Sequence, residues 1–384
     1  MPSPEQIKTV VMVAGEASGD AHGAHLIQAL QSYCGPVFVC GMGGPRMRDA
    51  GAKVLIDARE VAVVGITEAL SKAPQVLKSM SRLKKLLAGL RPDLLILIDF
   101  PDFNLHLAAV AKKLEIPVLY YISPQIWAWR AGRVKKIKAR VDHMAVILPF
   151  EASFYQQHDV PVTFVGHPLM DSPTGRVPVR KCAPPGPSPV VALLAGSRDR
   201  EVGTLLPIML ESARRLQKNI PSLRLLVSCA SSIDPLMIDD IMARHPVNTV
   251  EVTNQAVCDL LPRCDLAIVA SGTVTLETAI CGIPMIIVYT VSPVSYWLGR
   301  ALIDVAHIGL VNLIAGERIM PELIQKDASP EIISETALEI LSDPHRYMQM
   351  CEALLSVRQK LGAPGASHQV AQIAKALMDD RDAF

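Results

Sequence analysis

The sequence predicts an α/β protein built as two doubly wound, parallel-sheet domains. Three observations carry that reading. Apolar runs of strand length alternate with stretches of helical period through the first half of the chain, a proline-rich break interrupts the alternation, and the alternation then restarts. With 384 residues the chain is also longer than one ordinary single-core domain.

The candidate strands of the first half are residues 9–13, 37–40, 94–99, 118–122, 143–148 and 163–165. Helical patterns fill 23–32, 73–90 and 105–114. In the second of these Val76, Leu77, Met80, Leu83, Leu87 and Leu90 recur at helical spacing, with Lys78, Arg82, Lys84 and Lys85 between them. Residues 172–189 hold six prolines, which fix φ and remove donors, so the stretch reads as a linker or long loop. Strand-length runs return at 190–194, 224–228, 249–252, 266–269 and 285–289, and beyond about residue 330 only helical patterns remain. The expected organisation is a first domain over 1–172, a linker over 173–189, a second domain over 190–345, and C-terminal helices over 346–384 that can pack back on the first domain. Paired doubly wound domains bind ligands outside the carboxyl ends of their strands, often between the two.

Half of the residues are hydrophobic and 20% are charged, with a formal net charge of +1. That excludes a disordered chain and lacks the basic excess of a dedicated nucleic-acid binder. No apolar run reaches the roughly 18–20 residues of a membrane span, and no leader is expected at the N-terminus. The eight cysteines form no CxxC pair and read as reduced thiols of a cytoplasmic protein. HExxH spacing and the G-x-S-x-G elbow are absent, and D-x-D occurs only at Asp380 and Asp382. Neither a metal nor a cofactor is therefore expected.

Six places can carry chemistry. After the first strand comes Gly15-Glu16-Ala17-Ser18-Gly19-Asp20, whose small residues let backbone N–H groups approach an anion at a helix start. A tight turn capped by Ser18 or Asp20 fits the same spacing. Asp99 ends the most apolar strand and is placed to act as a general base, whereas Asp102 reads as a helix cap. Trp127, Trp129 and Arg130 follow another strand and suit a sugar or a phosphate, or core packing of the indoles. From Arg130 to Arg140 there are six basic residues and no acidic one, either a solvated face or a site for anionic lipid headgroups. In the second half, Gly196, Ser197 and Arg198 follow a strand and open a helix. Ser271, Gly272 and Thr273 do the same, with Glu277 one turn further on. That pattern offers donors to a diphosphate and an acceptor to ribose hydroxyls, although an ordinary capping box also fits. His167 reads as structural.

The motifs VAGEASGD (13–20), GPRM (44–47), DFPDFN (99–104), SPQIWAWR (123–130), PFE (149–151), GHPLMD (166–171), GSRDREV (196–202), SGTVTLE (271–277) and NLIAG (312–316) stand in that order. In this the chain closely resembles the lipid-A-disaccharide synthase family, glycosyltransferase family 19, from about residue 9 to 326. The resemblance implies a GT-B fold, with two Rossmann-like domains facing a central cleft. It also implies an inverting, metal-independent and cofactor-free transfer from UDP-2,3-diacylglucosamine to the 6-hydroxyl of 2,3-diacylglucosamine 1-phosphate. The implied location is peripheral, at the cytoplasmic face of the inner membrane, with the basic run and apolar residues 61–66 and Leu70 meeting the bilayer. A homodimer is kept open.

By the same resemblance Asp99 would be the base, and Arg198 with Gly196, Ser197, Ser271, Gly272 and Thr273 would meet the diphosphate. Glu277 would hold the ribose, and Asn312 matches a position near the donor. Gly15, Glu16, Ser18, Gly19, Asp20, Trp129 and Arg130 would position the sugars. Ala195 stands where the family pattern has proline, residues 228–232 match poorly, and Arg318 is displaced by one position from the expected arginine. Two rivals stand beside this reading: another UDP-sugar enzyme of the same architecture, such as a UDP-N-acetylglucosamine 2-epimerase, and a non-catalytic nucleotide-sugar sensor.

Overall fold

The computed structural model describes residues 7–61, 66–129, 131–179, 182–291 and 306–382. The chain divides into two compact units, one of Met1–Pro168 with Ala363–Phe384 and one of Leu169–Gly362.

The first unit holds a seven-stranded sheet of β1 (Lys8–Ala14), β2 (Val37–Gly43), β3 (Lys53–Asp57), β4 (Leu94–Ile98), β5 (Val118–Tyr121), β6 (His143–Val146) and β7 (Val162–Phe164). Its order is β3-β2-β1-β4-β5-β6-β7, and every pairing is parallel. The side-chain period of two sorts each strand between two cores. Val11, Val13, Leu95, Leu97, Val118 and Tyr120 face one layer. Val10, Met12, Leu94, Ile96, Leu119 and Tyr121 face the other, where Val370, Ala371, Ala374 and Met378 of the helix Ala366–Asp382 complete the packing. On the helix Ile66–Leu90, Leu83 and Leu87 are buried while Leu77 is 70% exposed.

The second unit holds a six-stranded sheet of β8 (Val190–Leu194), β9 (Arg224–Ser228), β10 (Val250–Thr253), β11 (Leu266–Ala270), β12 (Met285–Tyr289) and β13 (Glu322–Ile324). The order is β10-β9-β8-β11-β12-β13, again all parallel. Arg358, on the helix Pro344–Lys360, donates to the carbonyls of Gly175, Val177 and Ile280, tying the start of this unit to the end of the helix Val274–Ile280.

In both sheets strand order reverses at one seam, between β1 and β4 and between β8 and β11. Ligands of open α/β sheets bind at such reversals, outside the carboxyl ends of the strands. The loops beginning at Gly15, Asp99, Ala195 and Ser271 all leave those ends. At the opposite ends one device recurs. The carboxylates of Asp93, Asp142 and Asp265 accept the backbone N–H of Thr9, Val118 and Val190 at 2.7, 2.8 and 2.8 Å. Each aspartate's own N–H donates back to the carbonyl of the same partner. Two bonds per pair fix the register of neighbouring strands, and the acceptor is charged.

Asp265→Ala should therefore lower unfolding stability by about 2 kcal/mol in urea titration, through the half-buried N–H it leaves unpaired. Activity per folded molecule should not change, because the pin lies at the far end of the sheet from the ligand loops.

Candidate functional site

At the first reversal, β4 ends in two consecutive left-handed residues, Asp99 (φ 47°) and Phe100 (φ 51°). Neither is glycine, so the turn is strained by roughly 1 kcal/mol per residue. The Asp99 carbonyl accepts from the Tyr120 hydroxyl and from the Asn104 amide, both at 2.6 Å. The same Asn104 amide donates to the Ile98 carbonyl at 3.2 Å. The loop after β1 is cut to fit this turn. A Cβ on Gly15 would lie 2.4 Å from the Phe100 ring, so only glycine passes there. Gly19 packs less tightly on β1 and β4, where a Cβ would meet the Ala14 Cβ at 3.3 Å and the Ile98 side chain at 3.7 Å.

Burial first, and the nearby Glu16 carboxylate second, push the Asp99 carboxyl up to about 6, against an opposing hydrogen bond from the Phe100 N–H. At neutral pH it is an ionised carboxylate stronger as a base than an exposed one. Glu16 and Ser18 are exposed, at the start of the helix Ala17–Cys34. Asp20 does something else. Its buried carboxylate accepts the N–H groups of Gly44, Arg46 and Met47 at 2.7, 3.0 and 3.0 Å, so it caps the helix Pro45–Asp49 and ties the GEASGD loop to the GPRM motif.

Beyond β5, Ser123 shares a 2.7 Å hydrogen bond with Tyr155, and the Trp127 indole donates to Glu151 at 3.0 Å. Glu151 also accepts from the Leu148 N–H at 3.1 Å, and burial pushes its carboxyl up to about 7. The SPQIWAWR and PFE motifs are thus one hydrogen-bonded unit, with Trp127 packed edge-on against Phe150. Trp129 is placed as the last residue of the helix Ile126–Trp129, whereas Arg130 and residues 62–65 lie outside the described residues. Val61 is buried. In the basic run Lys135 and Lys136 are exposed, Arg133 pairs with Asp102 at 2.7 Å, and Lys138 pairs with Asp159 at 3.1 Å. Burial, with a smaller contribution from His22, pushes His167 down to about 4, so its imidazole is neutral at pH 7.

At the second reversal Gly196 has φ 114°, and a Cβ there would meet the Glu201 carboxylate at 2.6 Å. Arg198 is 72% exposed and pairs with Glu201 at 2.9 Å. So exposed a pair holds its guanidinium weakly, leaving it available to a stronger anion. Ser197 is exposed, and its carbonyl accepts from Ser232 at 2.7 Å, which places the poorly matching segment 228–232 directly against this loop.

One strand over, Ser271 donates its hydroxyl to Ile308 at 3.4 Å, Gly272 faces open space, and Thr273 is exposed ahead of the helix Val274–Ile280. Glu277 is half-buried, and burial raises its carboxyl. Asn312 is fully buried and committed. Its amide donates to Met320 at 2.9 Å and to Glu322 at 2.8 Å, and its oxygen accepts the Met320 N–H at 2.9 Å. Glu322 further accepts the N–H groups of Ile308 and Gly309, each at 3.0 Å. Asn312 and Glu322 together therefore shape the 308–320 loop. Arg318 donates to the Glu322 carbonyl at 2.6 Å.

Sequence reasoning passed over Tyr120, Asn104, Glu151 and Glu322 as site residues. Only Glu151 left a local signal, three residues beyond Leu148 and just after Pro149, at capping-box spacing.

A family model described as lipid-A-disaccharide synthetase matches residues 10–377. The lipid-A-disaccharide synthase of Syntrophus aciditrophicus (strain SB) is 47% identical over 379 residues, covering 98% of this chain and 99% of its own. That of Coxiella burnetii (strain Dugway 5J108-111) is 42% identical over 376 residues, covering 97% and 99%. Among solved structures, UDP-GlcNAc 2-epimerase from Neisseria meningitidis bound to UDP-GlcNAc superposes with a TM-score of 0.64 at 13% identity, over 96% of this chain and 100% of that one. Acinetobacter baumannii MurG does so with a TM-score of 0.61 at 16% identity, over 97% and 100%. At such identities the likeness speaks for the two-domain fold alone.

Asp20→Ala should cost about 3 kcal/mol of unfolding stability, since three N–H groups lose a charged acceptor. Limited proteolysis should then cut near residues 44–47 sooner than in the parent protein.

Proposed function

The chain belongs to the lipid-A-disaccharide synthase family, and from that premise we propose how its own residues run the family's reaction. The donor is UDP-2,3-diacylglucosamine and the acceptor 2,3-diacylglucosamine 1-phosphate. Asp99 takes the proton from the acceptor's 6-hydroxyl as that oxygen bonds to the anomeric carbon. The bond from that carbon to the UDP diphosphate breaks on the opposite face, inverting the centre and releasing UDP. The observation that carries this reading is the Asp99 carboxylate at the β1/β4 reversal, raised to about 6 by burial and Glu16. A general base is most effective with a pKa near working pH.

Arg198 and the Ser271–Thr273 turn lie beyond adjacent strands of the second unit and can meet charge building on the leaving diphosphate. Gly196 and Ser197 line the same loop, and Glu277 can accept from the ribose hydroxyls. Asn312 serves the donor indirectly, by holding the 308–320 loop. Glu16, whose charge acts on Asp99, and Ser18, exposed on the same loop, suit the acceptor sugar. The solved neighbours titled with UDP or UDP-GlcNAc support a nucleotide-sugar donor. An epimerase reading rests on likeness at 13–15% identity, against 42–47% for the synthases.

We also propose peripheral attachment to the cytoplasmic face of the inner membrane. No helix among the described residues is long and apolar enough to cross a membrane, and exposed Lys135 and Lys136 favour anionic headgroups.

The test is a detergent-supported assay with both lipid substrates and an EDTA control, read by mass spectrometry. Tetraacyl disaccharide 1-phosphate and UDP are expected in equal amounts, with EDTA present. UDP release without disaccharide would redirect the acceptor assignment. Log kcat/KM should fall with a slope of about one below a pH near 6, where Asp99 protonates. Asp99→Asn should abolish transfer while UDP still binds, and a variant with normal turnover would remove Asp99 from the role.

A further inference from the structure

The Asp99 carboxylate hangs from a left-handed backbone, and that backbone is held by groups outside the reaction. Asp99 and Phe100 are both left-handed, at φ 47° and 51°. The Asp99 carbonyl receives two donors at 2.6 Å, the phenol of Tyr120 on β5 and the amide of Asn104 on the following helix Pro101–Lys113. Asn104 gives its remaining N–H to Ile98 at 3.2 Å. Its own oxygen is buried without a hydrogen-bond partner. Buried side-chain oxygens are almost always satisfied, and an unpaired one is a sign that something else fixes the group. Turning the amide over would set its oxygen against two carbonyl oxygens, so the two carbonyls dictate the orientation and the acceptor is sacrificed to them.

We propose that Tyr120 and Asn104 are positioning residues for Asp99, clamping its carbonyl so that the strained turn holds the carboxylate at the β1/β4 reversal. The clamp rests on the reading of Asp99 as the base and extends it to two buried residues that touch neither substrate. Both act on the main chain, so they set where the carboxylate stands without bonding to it. Glu16, on the loop after β1, is the charged group that faces it.

Tyr120→Phe deletes one hydroxyl from a fully buried ring and leaves its shape. In detergent-supported turnover of the full chain, the variant should lose about tenfold in kcat, with KM for UDP-diacylglucosamine within twofold of the parent. The acid limb of its pH profile should move down by about one pH unit, because a loosened carboxylate reaches water and becomes easier to ionise. Melting should fall by no more than about 5 °C.

Asn104→Ser, which spares the Tyr120 bond, should show the same split of kcat from KM and the same shift of the limb. Parent kcat and an unmoved limb in Tyr120→Phe would overturn the proposal, whatever the melting temperature. A variant that fails to fold at 25 °C would also overturn it, because the group would then be a main support of the core. Asp99→Asn separates the two levels. If that variant is inactive while Tyr120→Phe is normal, only the clamp fails; if it turns over normally, the base assignment fails and the clamp with it.

Discussion

The left-handed turn at Asp99 and Phe100 is the constraint around which the first unit's ligand loops are arranged. Phe100's ring occupies the space above residue 15, which admits only glycine. Gly19 then lies flat on Ala14 and Ile98, so the helix after β1 starts directly over the β1/β4 seam. Asp20, one residue later, points away from the seam and collects three N–H groups of the 44–47 turn. The strained turn therefore accounts for the glycine at position 15, while Asp20 on the same loop accounts for the attachment of GPRM. The turn's intrinsic cost of roughly 1 kcal/mol per residue is met by two hydrogen bonds of comparable worth.

Both sheets keep register and chemistry at opposite ends. Asp93, Asp142 and Asp265 pin the amino ends of neighbouring strands. Left-handed backbone occurs at both ends: Arg91, Glu115, Asp159 and Thr249 lie just before strands, while Asp99 and Ile122 in the first unit and Gly196 in the second lie just after them. The second unit repeats the division with different chemistry. Its reversal ends in Arg198 and a Ser-Gly-Thr turn, which suit an anion, whereas the first ends in a carboxylate, which suits a proton.

Much of this was legible in the sequence, for a physical reason. Strands buried on both faces leave uninterrupted Val, Ile and Leu runs, and β1, β4, β5, β8, β11 and β12 stood out in that way. β3 and β13 did not, since one is half-exposed and the other is three residues long and opens with a glutamate. Glu322 looks like a surface residue of an edge strand until the fold brings Ile308, Gly309 and Asn312 to it. Spacing likewise cannot tell a carboxylate or amide aimed at a ligand from one aimed at backbone, and Asp20 and Asn312 proved to be engaged with backbone. Tyr120 reads as one more apolar strand residue, because its partner lies on another strand end.

Asp99's environment also explains why its supports are neutral. A base must be ionised at working pH yet retain affinity for a proton, and burial with the like charge of Glu16 moves Asp99 toward that compromise. The penalty falls on stability. Its folded carboxyl is raised to about 6 from the ordinary 3.8, so this group's own contribution favours the folded state most at low pH. It loses roughly 3 kcal/mol as pH rises through 6. An arginine or lysine beside Asp99 would recover that loss and would also lower the carboxyl back into the ordinary range, weakening the base. A phenol and an amide bonded to the main-chain carbonyl avoid this, because they fix the residue's position while adding no cation and no donor to the carboxylate. Among the described residues, the hydrogen bond that lowers its proton affinity comes from the Phe100 N–H, which the left-handed turn itself supplies. Orientation and basicity are thus set by separate contacts.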